Sequence, residues 1–306
     1  MKVPGYYDDL LAQTTDDPVV LAQIGMDINR TLTDNIFFRQ GPGVPKLRQV
    51  LVAYSRRNRD VGYCQGMNMI AASLLLIMPS EEDAFWVLCS IVERILPKTY
   101  FEPNLLASRA DQQVLKHYVA TILPTLHTHL ASLNVELEAL TFQWFLSIFT
   151  DTLTAEALFR VWDAVLCVAG STFLFQVAVA LLRLNERFLL ECGSAAEVYS
   201  YLNGGMIHQG ISIDGLMAES DALKGVIRRK EVEGRREGAV RRELRERRGE
   251  RREEEEAEGR KGREEGTRDD SVEGESVRKR DDEHAESGSA KSLKAHSSGK
   301  LAEAEE

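Results

Sequence analysis

The chain has 306 residues, 43% of them hydrophobic and 28% charged, with a formal net charge of -10. That length suits one large domain or two ordinary ones. The acidity argues against a nucleic-acid-binding surface, which needs a surplus of Lys and Arg facing the phosphates.

The N-terminus, "MKVPGYYDDLLAQ", has no apolar signal core. Pro45 is a helix-start signal, and Leu47, Val50, Leu51 and Tyr54 then fall on one helical face. The apolar run Met69–Met78 is about half the length needed to span a bilayer. Ser80-Glu81-Glu82-Asp83 is a capping-box pattern, and the helix it opens carries Phe85, Leu88, Val92 and Ile95 before Pro97 stops it. Asp111–Leu123 is helical and breaks at Pro124. Leu137–Phe149 stacks Leu140, Trp144, Phe145 and Ile148, and Leu158–Cys167 stacks Leu158, Val161, Trp162 and Val165. Thr172–Leu190 is mostly apolar on all sides and is expected to be central. Ser194-Ala195-Ala196-Glu197 is a second capping box. With no β-hairpin signal and no repeat of fixed period, the pattern predicts an all-α domain of many short helices over 1–225.

The last part differs. No Phe, Tyr or Trp follows Asp221, and 221–306 carries 23 basic against 25 acidic residues, leaving 15 against 23 for the rest. The acidic charge therefore belongs to the globular part. The segment 226–306 reads as a charged low-complexity tail, mostly disordered, because it offers too little apolar surface to offset the entropy of ordering. Its alternating signs from Arg228 to Arg263 also suit a solvated single helix laced by i,i+4 pairs. The four cysteines form no CxxC pair and read as buried free thiols in a reducing compartment. The chain is expected to be soluble, intracellular and without a metal of its own.

The usual carriers of chemistry are missing. There is no GxxxxGK[ST], GxGxxG or GxSxG. His127 and His129 are spaced i,i+2, which puts them on different helix faces. Cys64 has no neighbouring His in a recognisable nucleophile signature, so it reads as a structural thiol. Two polar clusters remain. In "IGMDINRT", Ile24 and Ile28 share a buried face while Asp27 and Arg30 can pair at i,i+3. In "VGYCQGMNMI", glycines bracket Cys64 and Gln65 at the entry to an apolar helix. Taken singly, the first is equally a surface ion pair and the second a polar helix start.

Together they carry a resemblance. "I-x-x-D-x-x-R" (Ile24, Asp27, Arg30), followed 35 residues later by "Y-x-Q" (Tyr63, Gln65), resembles the TBC domain, the all-helical domain of GTPase-activating proteins for Rab GTPases. "LRQVLVAYSRRNRDVGYCQGMN", "AFWVL", "QWFLSIF" and "LFRVWDAVL" look like TBC segments in the right order, from about Pro4 to about residue 220. "PGYYDDLL" and "ILPKTYFEPNLL" look most like the short stand-alone growth-hormone-regulated TBC subgroup.

The resemblance implies a partner, a Rab-family GTPase in its GTP-bound state, and no cofactor on this chain, because GTP and Mg²⁺ arrive with the Rab. It implies that the protein activates another enzyme and is not itself a hydrolase. It makes Arg30 an arginine finger and Gln65 a glutamine finger. Asp27 would hold the guanidinium. Ile24, Thr31, Gly62, Tyr63, Gly66 and Asn68 would support the fingers or contact the Rab. Cytoplasmic placement, recruitment to endomembranes and a role in vesicle traffic follow from the same resemblance. Such domains usually begin with a further segment carrying an R-x-x-x-W pattern. Here 23 residues precede Ile24 and no Trp occurs before Trp86, so the domain is expected to be N-terminally short. The competing reading is a TBC-fold scaffold or effector that binds a Rab without accelerating hydrolysis; relatives of that kind tend to lack the Arg or the Gln, and both are present here.

Overall fold

Helices make up all the regular structure among the described residues of the computed structural model, which are 2–206 and 212–249. Helix α1 (Tyr6–Ala12) starts after Gly5, which takes a left-handed φ of 77°. Its Tyr6 and Tyr7 rings pack on Trp86 and Phe85, with centroids 5.7 and 5.1 Å apart. Helix α2 (Pro18–Ile28) is opened by Asp17, whose carboxylate accepts from the Val19 N–H, with Pro18 at its first position. A short α3 (Ile36–Arg39) leads into the amphipathic α4 (Gly43–Arg57), which buries Leu47, Val50, Leu51 and Tyr54 as their spacing predicts. Arg56, near the end of α4, donates from Nη1 to the Leu10 and Leu11 carbonyls and from Nε and Nη2 to the two carboxylate oxygens of Asp16. It thereby satisfies the open end of α1 and fixes that helix to α4.

Helix α5 (Met67–Ile77) buries eight of its residues, and α6 (Glu81–Ser90) runs on through a π turn at Ile91–Ile95. Half of the predicted capping box forms: Ser80 Oγ accepts from the Asp83 N–H, and it donates to the Asp83 carboxylate. Then come α7 (Leu106–Ile122), α8 (Pro124–Ser132), α9 (Leu137–Leu146) and α10 (Ala155–Ala164), the last extended by a π turn at Val165–Ala169. Helix α11 (Thr172–Leu184) buries every residue from Thr172 to Leu182 and packs on α7 and α9, so it is central as expected. Helices α12 (Glu186–Glu191), α13 (Ala195–Ser200) and α14 (Ile213–Ala222) close the list before the last helix.

Several boundaries differ from the periodic pattern, and α7 begins at Leu106, five residues before the expected Asp111. The expected helix Thr172–Leu190 is two, because the buried Asn185 amide donates to the Leu181 carbonyl and its oxygen accepts from Tyr201 Oη. The expected helix Leu137–Phe149 stops at Leu146, since Ile148 and Phe149 turn left-handed at φ 49° and 64°. Trp162 Nε1 holds that turn by donating to the Ile148 carbonyl at 3.0 Å. Helix α10 begins at Ala155, three residues before the predicted start, because Thr154 caps it.

The expected break at 225 also moves. A helix, α15, covers 229–249, and residues up to Leu244 belong to one compact unit. Ile227, Val232 and Ala239 are buried. Arg236 donates from Nε and Nη2 to the two oxygens of the buried Asp111 at 2.5 and 3.1 Å. This stripe is only a few residues wide within a highly charged stretch, so average composition conceals it. Arg245 opens a second unit, and the predicted disorder from 250 onward lies outside the described residues. The cysteines are also less uniform than expected. Cys89 is buried, Cys64 and Cys192 are partly so, and Cys167 is exposed in the π turn after α10.

Candidate functional site

Helix α2 ends at Ile28, two residues before Arg30. Ile24 and Ile28 are buried and hold the helix against the core, so Ile24 supports the site from below and cannot touch a partner. Asp27, on the same turn, is only 4% exposed. A carboxylate this deep needs partners on both oxygens. Arg30 Nε and Nη2 donate to Oδ1 at 2.9 and 2.6 Å, while Tyr63 Oη donates to Oδ2 at 2.6 Å. Burial, and then this bond, hold the Tyr63 phenol well above its ordinary value, so it remains a donor. The Arg30 side chain is 60% exposed, and its Nη1 has no hydrogen-bond partner among the described residues. Asp27 therefore orients a guanidinium whose free edge faces outward.

Gln65 lies on the turn between α4 and α5. Gly62 (φ 60°) and Gly66 (φ 103°) both take conformations that a side chain rarely tolerates. At Gly66 a Cβ would also stand 2.8 Å from the Leu146 carbonyl oxygen, so the turn is pressed against the end of α9. Between the two glycines Gln65 is exposed. Its neighbour Cys64 is half-buried: burial first, and then nearby Asp27, push its thiol up to about 11. A thiol raised in this way is a poor nucleophile at neutral pH.

The two segments meet through side chains. Besides the Tyr63–Asp27 bond, Asn68 Nδ2 donates to Thr31 Oγ1 at 2.8 Å, and Thr31 Oγ1 donates to the Asp27 carbonyl at 2.6 Å. Asn68 Oδ1 accepts from the Gly66 N–H at 3.0 Å. Thr31, Gly66 and Asn68 are buried, so they support the site and do not contact a partner. Gln65 opens onto a cleft of about 660 Å³. Tyr63 and Gln23 line it together with Phe101, Phe142, Gln143 and Leu146. These last four were not read as functional. They come from the segment before α7 and from α9, whose residues look locally like ordinary core. Among the described residues, no group of three His, Cys, Asp or Glu is placed to hold a metal ion.

Residues 5–190 match the family model described as Rab-GTPase-TBC domain. The chain belongs to the Rab-GTPase-TBC domain family. The TBC domain-containing protein C4G8.04 of Schizosaccharomyces pombe (strain 972 / ATCC 24843) is 46% identical over 240 residues, which is 78% of this chain and 31% of that protein. TBC1 domain family member 2A of Mus musculus is 42% identical over 206 residues, 66% of this chain and 22% of that protein. This TBC chain thus spans less than a third of the length of either relative. Among solved structures, the Chlamydomonas flagellar RabGAP TBC domain is 29% identical with a TM-score of 0.64, covering 72% of both chains. The Ypt/Rab-GAP domain of Gyp1p shares the fold at 20% identity, with a TM-score of 0.63 over 72% of this chain and 80% of its own. The all-α TBC architecture expected from the motifs is therefore the one observed.

Proposed function

We propose that this TBC domain is a GTPase-activating protein for a Rab-family GTPase in its GTP-bound state, acting in trans through Arg30 and Gln65. The observation that carries the reading is the bond between Tyr63 and Asp27. It joins the carboxylate that orients Arg30 to the turn that displays Gln65. Two exposed side chains of the right chemistry are thus held by one buried group.

A Rab hydrolyses GTP slowly because its transition-state charge is poorly neutralised and its attacking water poorly held. Arginine is always charged and offers several donors in a planar fork, so the free edge of Arg30 suits the oxygens of the transferring phosphoryl group. The Gln65 amide can accept from the attacking water and donate to a γ-phosphate oxygen. Water adds to phosphorus, the bond to the β-phosphate oxygen breaks, and GDP and inorganic phosphate remain, with the water's proton on phosphate. Nucleotide and Mg²⁺ come with the Rab. Because Arg30 is already oriented, less ordering entropy is lost in the transition state. Regulation of vesicle traffic, with recruitment to endomembranes through the Rab, belongs to the same proposal. No helix among the described residues is long and apolar enough to cross a membrane.

The test is phosphate release across a panel of GTP-loaded Rabs. Wild type should accelerate at least one of them. Arg30→Ala should remove roughly 10³–10⁵ of that acceleration, and Gln65→Ala should also slow it strongly, with the fold intact by circular dichroism. Equal rates for wild type and Arg30→Ala, with Rab binding retained, would establish the non-catalytic scaffold instead. A normal rate with Gln65→Ala would assign the water to the Rab's own residues.

A further inference from the structure

We infer that Thr31 and Asn68 form a positioning clamp that fixes the two fingers relative to each other, so that neither is aligned unless the clamp is closed. The inference rests on the finger reading above and adds residues that reach the chemistry only through others.

The hydrogen-bond inventory leaves this clamp one arrangement. The Thr31 hydroxyl has a single proton, which goes to the Asp27 carbonyl, so Oγ1 must accept from Asn68 Nδ2. The Gly66 N–H can only donate, so Asn68 must present Oδ1 to it. A flipped amide would set two donors against each other at Gly66. Thr31 is 1% exposed and Asn68 4%, so neither reaches a partner and water does not compete for their bonds. Low polarity strengthens such a closed network.

The clamp joins three pieces of backbone. Thr31 follows Arg30 directly and grips the last turn of α2. Asn68 is the second residue of α5, the helix with eight buried positions. Gly66 follows Gln65 directly, and the Leu146 carbonyl blocks its other side. The Tyr63–Asp27 bond fixes the carboxylate under Arg30; the Thr31–Asn68 bond fixes the backbone on the C-terminal side of both fingers. Two attachments prevent the rotation that a single one would allow. Misplacement of a reacting group by about 1 Å can cost on the order of 10²-fold in rate.

The test uses the full chain and the GTP-loaded Rab on which wild type is most active, with kcat and KM for that Rab determined separately. Thr31→Val removes the hydroxyl with little change of shape. It should lower kcat on the order of 10²-fold with KM nearly unchanged. Thr31→Ser restores the hydroxyl and should recover kcat. Asn68→Ala should behave like Thr31→Val. Should Asn68→Ala fail to fold, the Thr31→Val and Thr31→Ser pair decides alone. A wild-type kcat in Thr31→Val, a loss confined to KM, or equal losses in Thr31→Val and Thr31→Ser would overturn the clamp. If Arg30→Ala is inactive while Thr31→Val is normal, only the clamp fails. If Arg30→Ala is fully active, the finger reading fails with it.

Discussion

At the residue scale, the environment of each side chain separates roles that the sequence sets side by side. Cys64 and Gln65 are neighbours, yet one thiol is held neutral by burial and the next amide stands in the open. Alkylation followed by mass mapping should therefore label the exposed Cys167 well before Cys64 at pH 7. Preferential labelling of Cys64 would mean a thiolate that the burial argument excludes. Asp27 illustrates the same principle for a charge. Its spacing to Arg30 was legible as an i,i+3 pair, which on a surface would contribute at most about 1 kcal/mol. Burial changes its meaning, because a sunken carboxylate with a phenol on its second oxygen has little freedom to move. Spacing alone does not report depth.

At the element scale, local signals placed the side-chain-capped helix starts well and several other boundaries less well. Ser80 and Ser194 act as the caps that their sequence patterns indicate, and Glu197 reaches back to the Gly193 N–H. The breaks at Asn185 and at Ile148–Phe149 depend on Tyr201 and Trp162, which a window of one helical period does not contain. The short α1 is held largely by Arg56, so its stability should depend on pH through Asp16. The hydrogen bond to Arg56 lowers the Asp16 carboxyl from its ordinary value. A carboxyl lowered in the folded state stabilises the fold fully above its unfolded value of about 3.9, and that contribution is lost as pH falls through the folded one. Asp16→Asn should thus lower the melting temperature at pH 7 and narrow its gap to wild type as pH drops below about 4. A gap that stays constant through acid would show that Asp16 ionisation adds nothing.

At the scale of the whole molecule, the chain closes on itself late. Arg236 and Asp111 are 125 residues apart and meet in the interior. Burial pushes the Asp111 carboxyl up to about 6 against the pull of Arg236, so burial outweighs pairing. Removing only one member of such a pair is the damaging change. Arg236→Ala should cost about 3–5 kcal/mol in chemical denaturation, whereas Arg236→Met with Asp111→Leu should cost far less. Deleting 226–306 should lower the melting temperature, because it uncovers surface sealed by Ile227 and Val232 and strands Asp111; an unchanged transition would mean that the helix over 229–249 contributes nothing. The sequence by itself determined the helical class, the helix starts capped by Ser80 and Ser194, and the two segments that meet at the candidate site. Each depends on neighbours within a turn or two, or on motifs quoted whole. Tertiary structure alone decided that Asp27 lies between Arg30 and Tyr63, that Leu146 backs Gly66, and that the compact unit reaches Leu244. Arg30 aside, which is three residues from Asp27, those partners lie 36 or more residues apart. Packing brings them together, and no local period records it.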